Sequence, residues 1–329
     1  MTDPTNIHAP VLTRFRTLIR KQRLAHAYLF VGPSYIGKGE TSLALAKMIN
    51  CERNVEREAS CDDEGEFYCA QCPECLKITS GNHPDVRVIE SGIGESIKIE
   101  QIREMLNQVK LRPFSGRQKV FILKNIENMT PEGANALLKT LEEPSASSLL
   151  LLTTSVPEKT LDTVKSRCQM IHFLPLSAER LAVQLTDGDG ESSLRAHFLA
   201  YFAEGCPGKA QRFKEIQMFE KKNEVIDRFL LTTESQAYMK KILADKEQTR
   251  EFLDVLLSWI RDCVLIKTGI DSARLIHRDR INELRRFQER FAFEELLEAH
   301  QDVVRMCQLF TDNLNIKIPL ALIRTSLKA

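Results

Sequence analysis

Seven residues, 32–38, are arranged to hold phosphate: Gly-Pro-Ser-Tyr-Ile-Gly-Lys, the G-x-x-x-x-G-K pattern of a P-loop. In such a loop Gly32 and Gly37 let backbone N–H groups close around an anion, and Lys38 reaches the outer phosphates. The next position should carry Ser or Thr to ligate Mg²⁺, and here it is Gly39. A second metal carboxylate is expected where a later strand ends, but Val120-Phe121-Ile122-Leu123 runs into Lys124-Asn125. A cation about 4 Å from a dication is repelled by roughly 8 kcal/mol at an effective dielectric near 20. Glu127 comes too late along the chain for that duty, and strand alternation aims it elsewhere. This is the frame of a nucleotide site without its metal. Mg²⁺ is not expected to be held, hydrolysis by this chain alone is not expected, and whether ATP or ADP still binds is open at this stage.

Cysteine spacing makes a second chemical signal. Cys61, Cys69, Cys72 and Cys75 follow C-x₇-C-x₂-C-x₂-C, and four thiolates so close are what tetrahedral Zn²⁺ requires. With every coordination position filled by protein, the site is structural, ordering an insertion between the P-loop helix and the second strand. Cys51, Cys168, Cys206, Cys263 and Cys307 read as small core or motif residues. Nine cysteines, an odd number with four clustered, suit a reducing cytosol better than a disulfide framework.

Positioning these residues requires an α/β scaffold. Ala27–Val31, Asp85–Ile89, Lys119–Leu123, Leu149–Thr153 and Met170–Leu174 read as strands, continuously apolar because both faces of a parallel sheet are covered. Helical stretches alternate with them: Glu40–Asn50, Glu100–Lys110, Glu132–Glu142 and Leu161–Ser166. After Pro175 the strands stop. Ser177–Gln184 and Leu194–Ala203 read as helices around an Asp/Gly turn, and Gly205-Cys206-Pro207-Gly208 breaks the chain before another helical run. From about Asn223 the pattern is nearly all helical, with Pro319 marking the first turn of a last helix. The expected division is 1–175 α/β, 176–222 a small helical domain, and 223–329 a larger helical one.

Bulk properties exclude several classes. Charged residues are 28% of the 329 and the net charge is +1, so a basic excess of the kind that grips nucleic acid is missing and any basic patch is local. No apolar window is long enough to span a membrane, and Met1-Thr2-Asp3-Pro4 lacks the regions of a signal peptide; the expected location is cytoplasmic. His277-Arg278-Asp279 mimics a kinase catalytic loop without its Asn, in a helical region.

Asn135-Ala136-Leu137-Leu138-Lys139-Thr140-Leu141-Glu142-Glu143-Pro144, with Leu149–Thr154, Ser166-Arg167-Cys168, His26-Ala27, His83-Pro84-Asp85 and the clustered cysteines, resembles bacterial clamp-loader subunits of the AAA+ superfamily. The resemblance covers about Leu24 to Leu176, is strongest to the delta-prime branch of the DNA polymerase III clamp loader and next to the gamma/tau branch, and weakens beyond Pro175. It implies an AAA+ P-loop domain with a zinc insertion, a helical lid, and a helical collar that assembles with gamma/tau- and delta-type subunits. It implies loading of a sliding clamp onto primed DNA, with no membrane partner. Arg167 would then be an arginine finger acting on a neighbour's nucleotide, worth about 10³–10⁵ in rate, and Thr154 would stand where the family has its first sensor. Gly208 stands where active relatives carry a second sensor arginine. Three losses in the chain's own site, with Arg167 kept, match a stator subunit. The alternatives are an active gamma/tau-type ATPase and, from another class, a P-loop nucleotide kinase, which would need an Arg-rich lid that the helical half does not offer.

Overall fold

The computed structural model describes residues 8–56, 66–92, 95–231, 238, 241–311 and 320. The chain divides into two compact units, Met1–Pro175 and Leu176–Ala329. In the first, five parallel strands stand in the order β2-β3-β4-β1-β5: β1 Ala27–Val31, β2 Val86–Ile89, β3 Lys119–Leu123, β4 Ser148–Thr154 and β5 Gln169–His172. This is the parallel α/β sheet that the resemblance implies. β1, β3 and β4 are buried along their whole length, as their apolar runs require. β2 and β5 differ from that expectation. Each is an edge strand with one hydrogen-bonded neighbour, so in β5 only Ile171 is buried and Met170 is half exposed.

The helices are α1 (Ala9–Arg20), α2 (Lys38–Asn50), α3 (Pro73–Ser80), α4 (Ile99–Val109), α5 (Pro131–Glu142) and a one-turn α6 (Asp162–Lys165). Local chemistry sets their starts. Thr130 accepts a hydrogen bond from Gly133 N–H and Pro131 occupies the first turn of α5. Gly37, at φ 106°, makes the left-handed turn that launches α2 two residues earlier than hydropathy alone suggests. α4 and α5 bury Ile102, Met105, Val109, Leu137 and Leu141 against alternate residues of β1, β3 and β4. Because all strands are parallel, Val31, Leu123 and Thr154 end on one edge, where ligands of open α/β sheets bind.

His83-Pro84-Asp85 fixes the approach to β3. The Asp85 carboxylate, buried at the start of β2, accepts from the backbone N–H groups of Phe114, Ser115 and Gly116 at 2.8–2.9 Å, and Lys119 Nζ lies 3.9 Å away. Burial pushes this carboxyl up, but the three N–H groups and Lys119 outweigh it and its pKa is held below the ordinary value. Asp85→Ala removes the acceptor of three part-buried backbone donors and is expected to cost about 1–3 kcal/mol in a denaturation experiment. The depressed pKa means this stabilisation is complete above the unfolded value near 3.9 and is lost as pH falls through the lower folded value. The difference between Asp85→Ala and the parent should therefore shrink only in acid below about pH 4.

The second unit is helical: α7 (Ala178–Asp189), α8 (Ser193–Phe202), α9 (Pro207–Glu215), α10 (Met218–Val225), α11 (Lys246–Lys267), α12 (Ile281–Gln288) and α13 (Phe293–Thr311). Gly190, left-handed at φ 68°, ends α7. One hydrophobic cluster runs from Leu181 to Leu320, on both sides of the expected division at 222. Pro319 lies outside the described residues. His277-Arg278-Asp279 proves structural: His277 is buried against Ser258 Oγ at 2.9 Å, and Asp279 pairs with buried Lys222 at 2.6 Å. Lys222 also lies over the rings of Phe219 and Phe198, which solvate its charge in an apolar core.

Candidate functional site

The phosphate loop leaves β1 at Gly32, whose Cα packs so closely on the residue after β5 that an added Cβ would stand 2.5 Å from Phe173 O. Lys38, itself buried, turns back so that Nζ donates to the carbonyls of Gly32 and Pro33, both at 2.7 Å. His8 closes the loop from outside. Its Nε2–H donates to Ile36 O at 2.7 Å and its ring stands edge-on to Phe173. Burial, which favours the neutral ring, lowers the His8 pKa and outweighs the Ile36 carbonyl that raises it. Nothing in the sequence alone marks His8, because its partner is a backbone oxygen 28 residues away.

Lys124 lies where the metal half of the site should be. A Cβ built on Gly39 would come within 3.1 Å of Lys124 Cε and 3.7 Å of its Nζ, so a side chain at 39 would crowd the lysine. The ammonium is anchored 2.9 Å from Glu90 Oε2 at the end of β2. Glu127, the remaining acid nearby, accepts from Ser155 N–H at 3.0 Å and from Ser155 Oγ. Burial raises its pKa, but these donors outweigh burial and keep it below the ordinary value, so it stays ionised as a loop anchor. Thr154 is fully buried and its hydroxyl accepts from Val156 N–H at 3.2 Å and pairs with Thr160 at 3.4 Å.

Mg²⁺-nucleotide chemistry does not fit these residues. Position 39 has no hydroxyl and a cation occupies the space beside it. Gly39→Thr alone is expected to gain no Mg²⁺, since the new side chain meets Lys124. Gly39→Thr with Lys124→Asp supplies a hydroxyl and a carboxylate, and should bind Mg²⁺-dependent nucleotide at least tenfold more tightly than the parent, about 1.4 kcal/mol, by calorimetry.

Four thiols meet beside α2. The Sγ atoms of Cys51, Cys69, Cys72 and Cys75 all lie within 4.8 Å of one another. A tetrahedron with Zn–S near 2.3 Å has edges of about 3.8 Å, so this donor set fits zinc. Backbone N–H groups point at the sulfurs: Cys69 N to Cys51 Sγ, Cys72 N to Cys69 Sγ and Cys75 N to Cys72 Sγ, at 3.2–3.5 Å. Burial raises the Cys69 pKa, but N–H groups of Gln71 and Cys72 outweigh it and bring that thiol down to about 6, while burial pushes the Cys51 and Cys75 thiols up. Cys61, expected as a ligand, lies outside the described residues; among the described residues the fourth thiol of the cluster is Cys51, read from sequence as a core residue. Bound zinc would be held by Cys51, Cys69, Cys72 and Cys75 and would tie the end of α2 to the start of α3.

Arg167 follows α6. Val164 is buried at its root, and the half-buried Cys168, its thiol pushed up to about 12 by burial, packs on the same core. The guanidinium remains accessible, with 35% of the side chain exposed, and its Nη2 lies 2.7 Å from Glu142 Oε1. Gly208 is exposed on the first turn of α9, in the second unit. Of the residues named from sequence, Gly32, Gly37, Lys38 and Thr154 come to one sheet edge, while the cysteines form a separate centre. His8, Glu90, Cys51 and Glu142 were missed. Among the described residues no helix is long and apolar enough to cross a membrane.

A family profile described as "DNA polymerase III, delta subunit" matches residues 7–177, and one described as "DNA polymerase III, delta subunit, C terminal" matches 195–325. The chain is 31% identical over 269 residues to a Bacillus subtilis protein named DNA polymerase III subunit delta', covering 79% of this chain and 78% of that one. A Pseudomonas aeruginosa protein of the same name is 35% identical over 208 residues, 62% of this chain and 60% of its own length. A Salmonella typhimurium protein named DNA polymerase III subunit tau is 35% identical over 175 residues, 53% of this chain but only 26% of the tau protein.

Proposed function

This chain belongs to the DNA polymerase III delta-subunit family, and on that premise we propose that it is a clamp-loader subunit that hydrolyses no ATP itself. It acts as a rigid stator and lends Arg167 to the nucleotide site of an adjoining gamma/tau-type subunit. The helical half serves as lid and collar, and the assembly, with a delta-type subunit, places a sliding clamp on primed DNA.

One observation carries this reading: in a single P-loop module Lys124 lies beside Gly39, which has no hydroxyl for a metal, while Arg167 is kept accessible and ion-paired. A guanidinium supplied from outside neutralises charge developing on a transferred phosphoryl group without any metal of its own. Phe114 adds support for a protein partner. It is 87% exposed although its backbone is pinned by Asp85, which favours an apolar contact offered in fixed position.

Steady-state ATP turnover in the reconstituted assembly tests the proposal. The chain alone should be silent, the mixture with gamma/tau- and delta-type subunits active, and the mixture carrying Arg167→Ala slow. Turnover by the chain alone would favour an active gamma/tau-type ATPase.

A further inference from the structure

We propose that Glu142 is the positioning residue for Arg167, an inference that rests on the arginine-finger reading above. Glu142 is the last residue of α5, where a carboxylate opposes the helix dipole and gives the helix nothing. Its neighbour Leu141 is buried, which fixes the side of the helix from which Glu142 projects. From there its Oε1 takes the Nη2 of Arg167 at 2.7 Å. The other end of the guanidinium is held as well: Nη1 donates to Thr163 O at 3.0 Å and to Ser166 Oγ at 3.3 Å. Ser166 Oγ in turn donates to Thr163 O at 3.1 Å, so the serine beside the arginine is itself locked.

A guanidinium carries five N–H donors in one plane. With three of them held by Thr163, Ser166 and Glu142, that plane is fixed, and among the described residues the Nε–H with one Nη2–H is left for an acceptor on another subunit. The rotamer freedom of a long side chain is thus removed before the neighbour's phosphate arrives, and the transition state need not remove it. Glu142 touches no substrate in this account. It acts through Arg167 alone.

A double-mutant cycle in the complete assembly, with ATP, clamp and primed DNA, tests the assignment. Glu142→Ala is expected to lower kcat about 3- to 5-fold, the range an exposed ion pair supports, and to leave KM for ATP unchanged. Glu142→Gln, which keeps an acceptor oxygen, should recover most of that loss. In the Arg167→Ala background Glu142→Ala should have no further effect. Equal loss in both backgrounds, or no loss in the parent, overturns the role of Glu142 while the finger stands. If Arg167→Ala leaves turnover intact, the finger reading fails and the role of Glu142 fails with it.

Discussion

Replacing Arg167 with alanine is expected to slow single-turnover ATP cleavage at the adjoining site about 10³-fold or more. That corresponds to roughly 4 kcal/mol of transition-state stabilisation. The loss should fall on kcat, because the phosphoryl group gains its extra charge only as the bond breaks. Arg167→Lys should recover little: an ammonium is a point charge without the planar fork that Thr163 and Glu142 hold. The free chain should keep its stability, since the Glu142–Arg167 pair is exposed and such pairs contribute about 1 kcal/mol or less. A slow assembly built from a normally stable subunit is the signature to look for.

The second large effect concerns the thiol centre. Structural zinc in small domains supplies about 10–16 kcal/mol of apparent binding energy at neutral pH, so one of four ligands accounts for about 3 kcal/mol. Cys51→Ser is expected to weaken zinc binding roughly 10²-fold, whereas Cys61→Ser should leave one zinc per chain in native mass spectrometry. Metal loss should be felt beyond the module. Phe67 and Tyr68 pack on Leu12 and Met48, and Lys47 and Arg16 lie over those rings, so chelation should loosen α1 against α2. Protease cleavage between 52 and 80, followed by faster hydrogen exchange in α1, would report it. An unchanged zinc content in Cys51→Ser, with loss in Cys61→Ser, would restore the ligand set read from spacing.

Much of the α/β unit was legible from residue pattern because its central strands are buried on both faces. Ala27–Val31 and Lys119–Leu123 stand where continuous apolar runs put them. β5 was legible as a strand but not as an edge, since edge status depends on strand order, which hydropathy does not encode. The P-loop and its missing hydroxyl are local and so could be read directly. Lys124 was recognised as hostile to a metal, but its place beside Gly39 at the start of α2 and its pairing with Glu90 after β2 are contacts between separate elements. Cys51 escaped for the same reason: sequence spacing does not show that the fold returns Cys69 to the end of α2. Arg167 came from family resemblance. Its partner Glu142 was in view as part of a motif, yet only the packing of α5 beside α6 reveals what it holds.

The central claim is that this chain completes a neighbour's ATP site while its own site does no chemistry. The most direct measurement is ATP turnover of the assembly with Lys38→Ala in this chain, beside turnover of the purified chain alone. Lys38 is bound to its own loop carbonyls, and on the proposed reading its site does no chemistry, so the assembly should turn over ATP at the parent rate and the lone chain should be silent. Turnover by the lone chain that Lys38→Ala abolishes would contradict the account and make this subunit a motor.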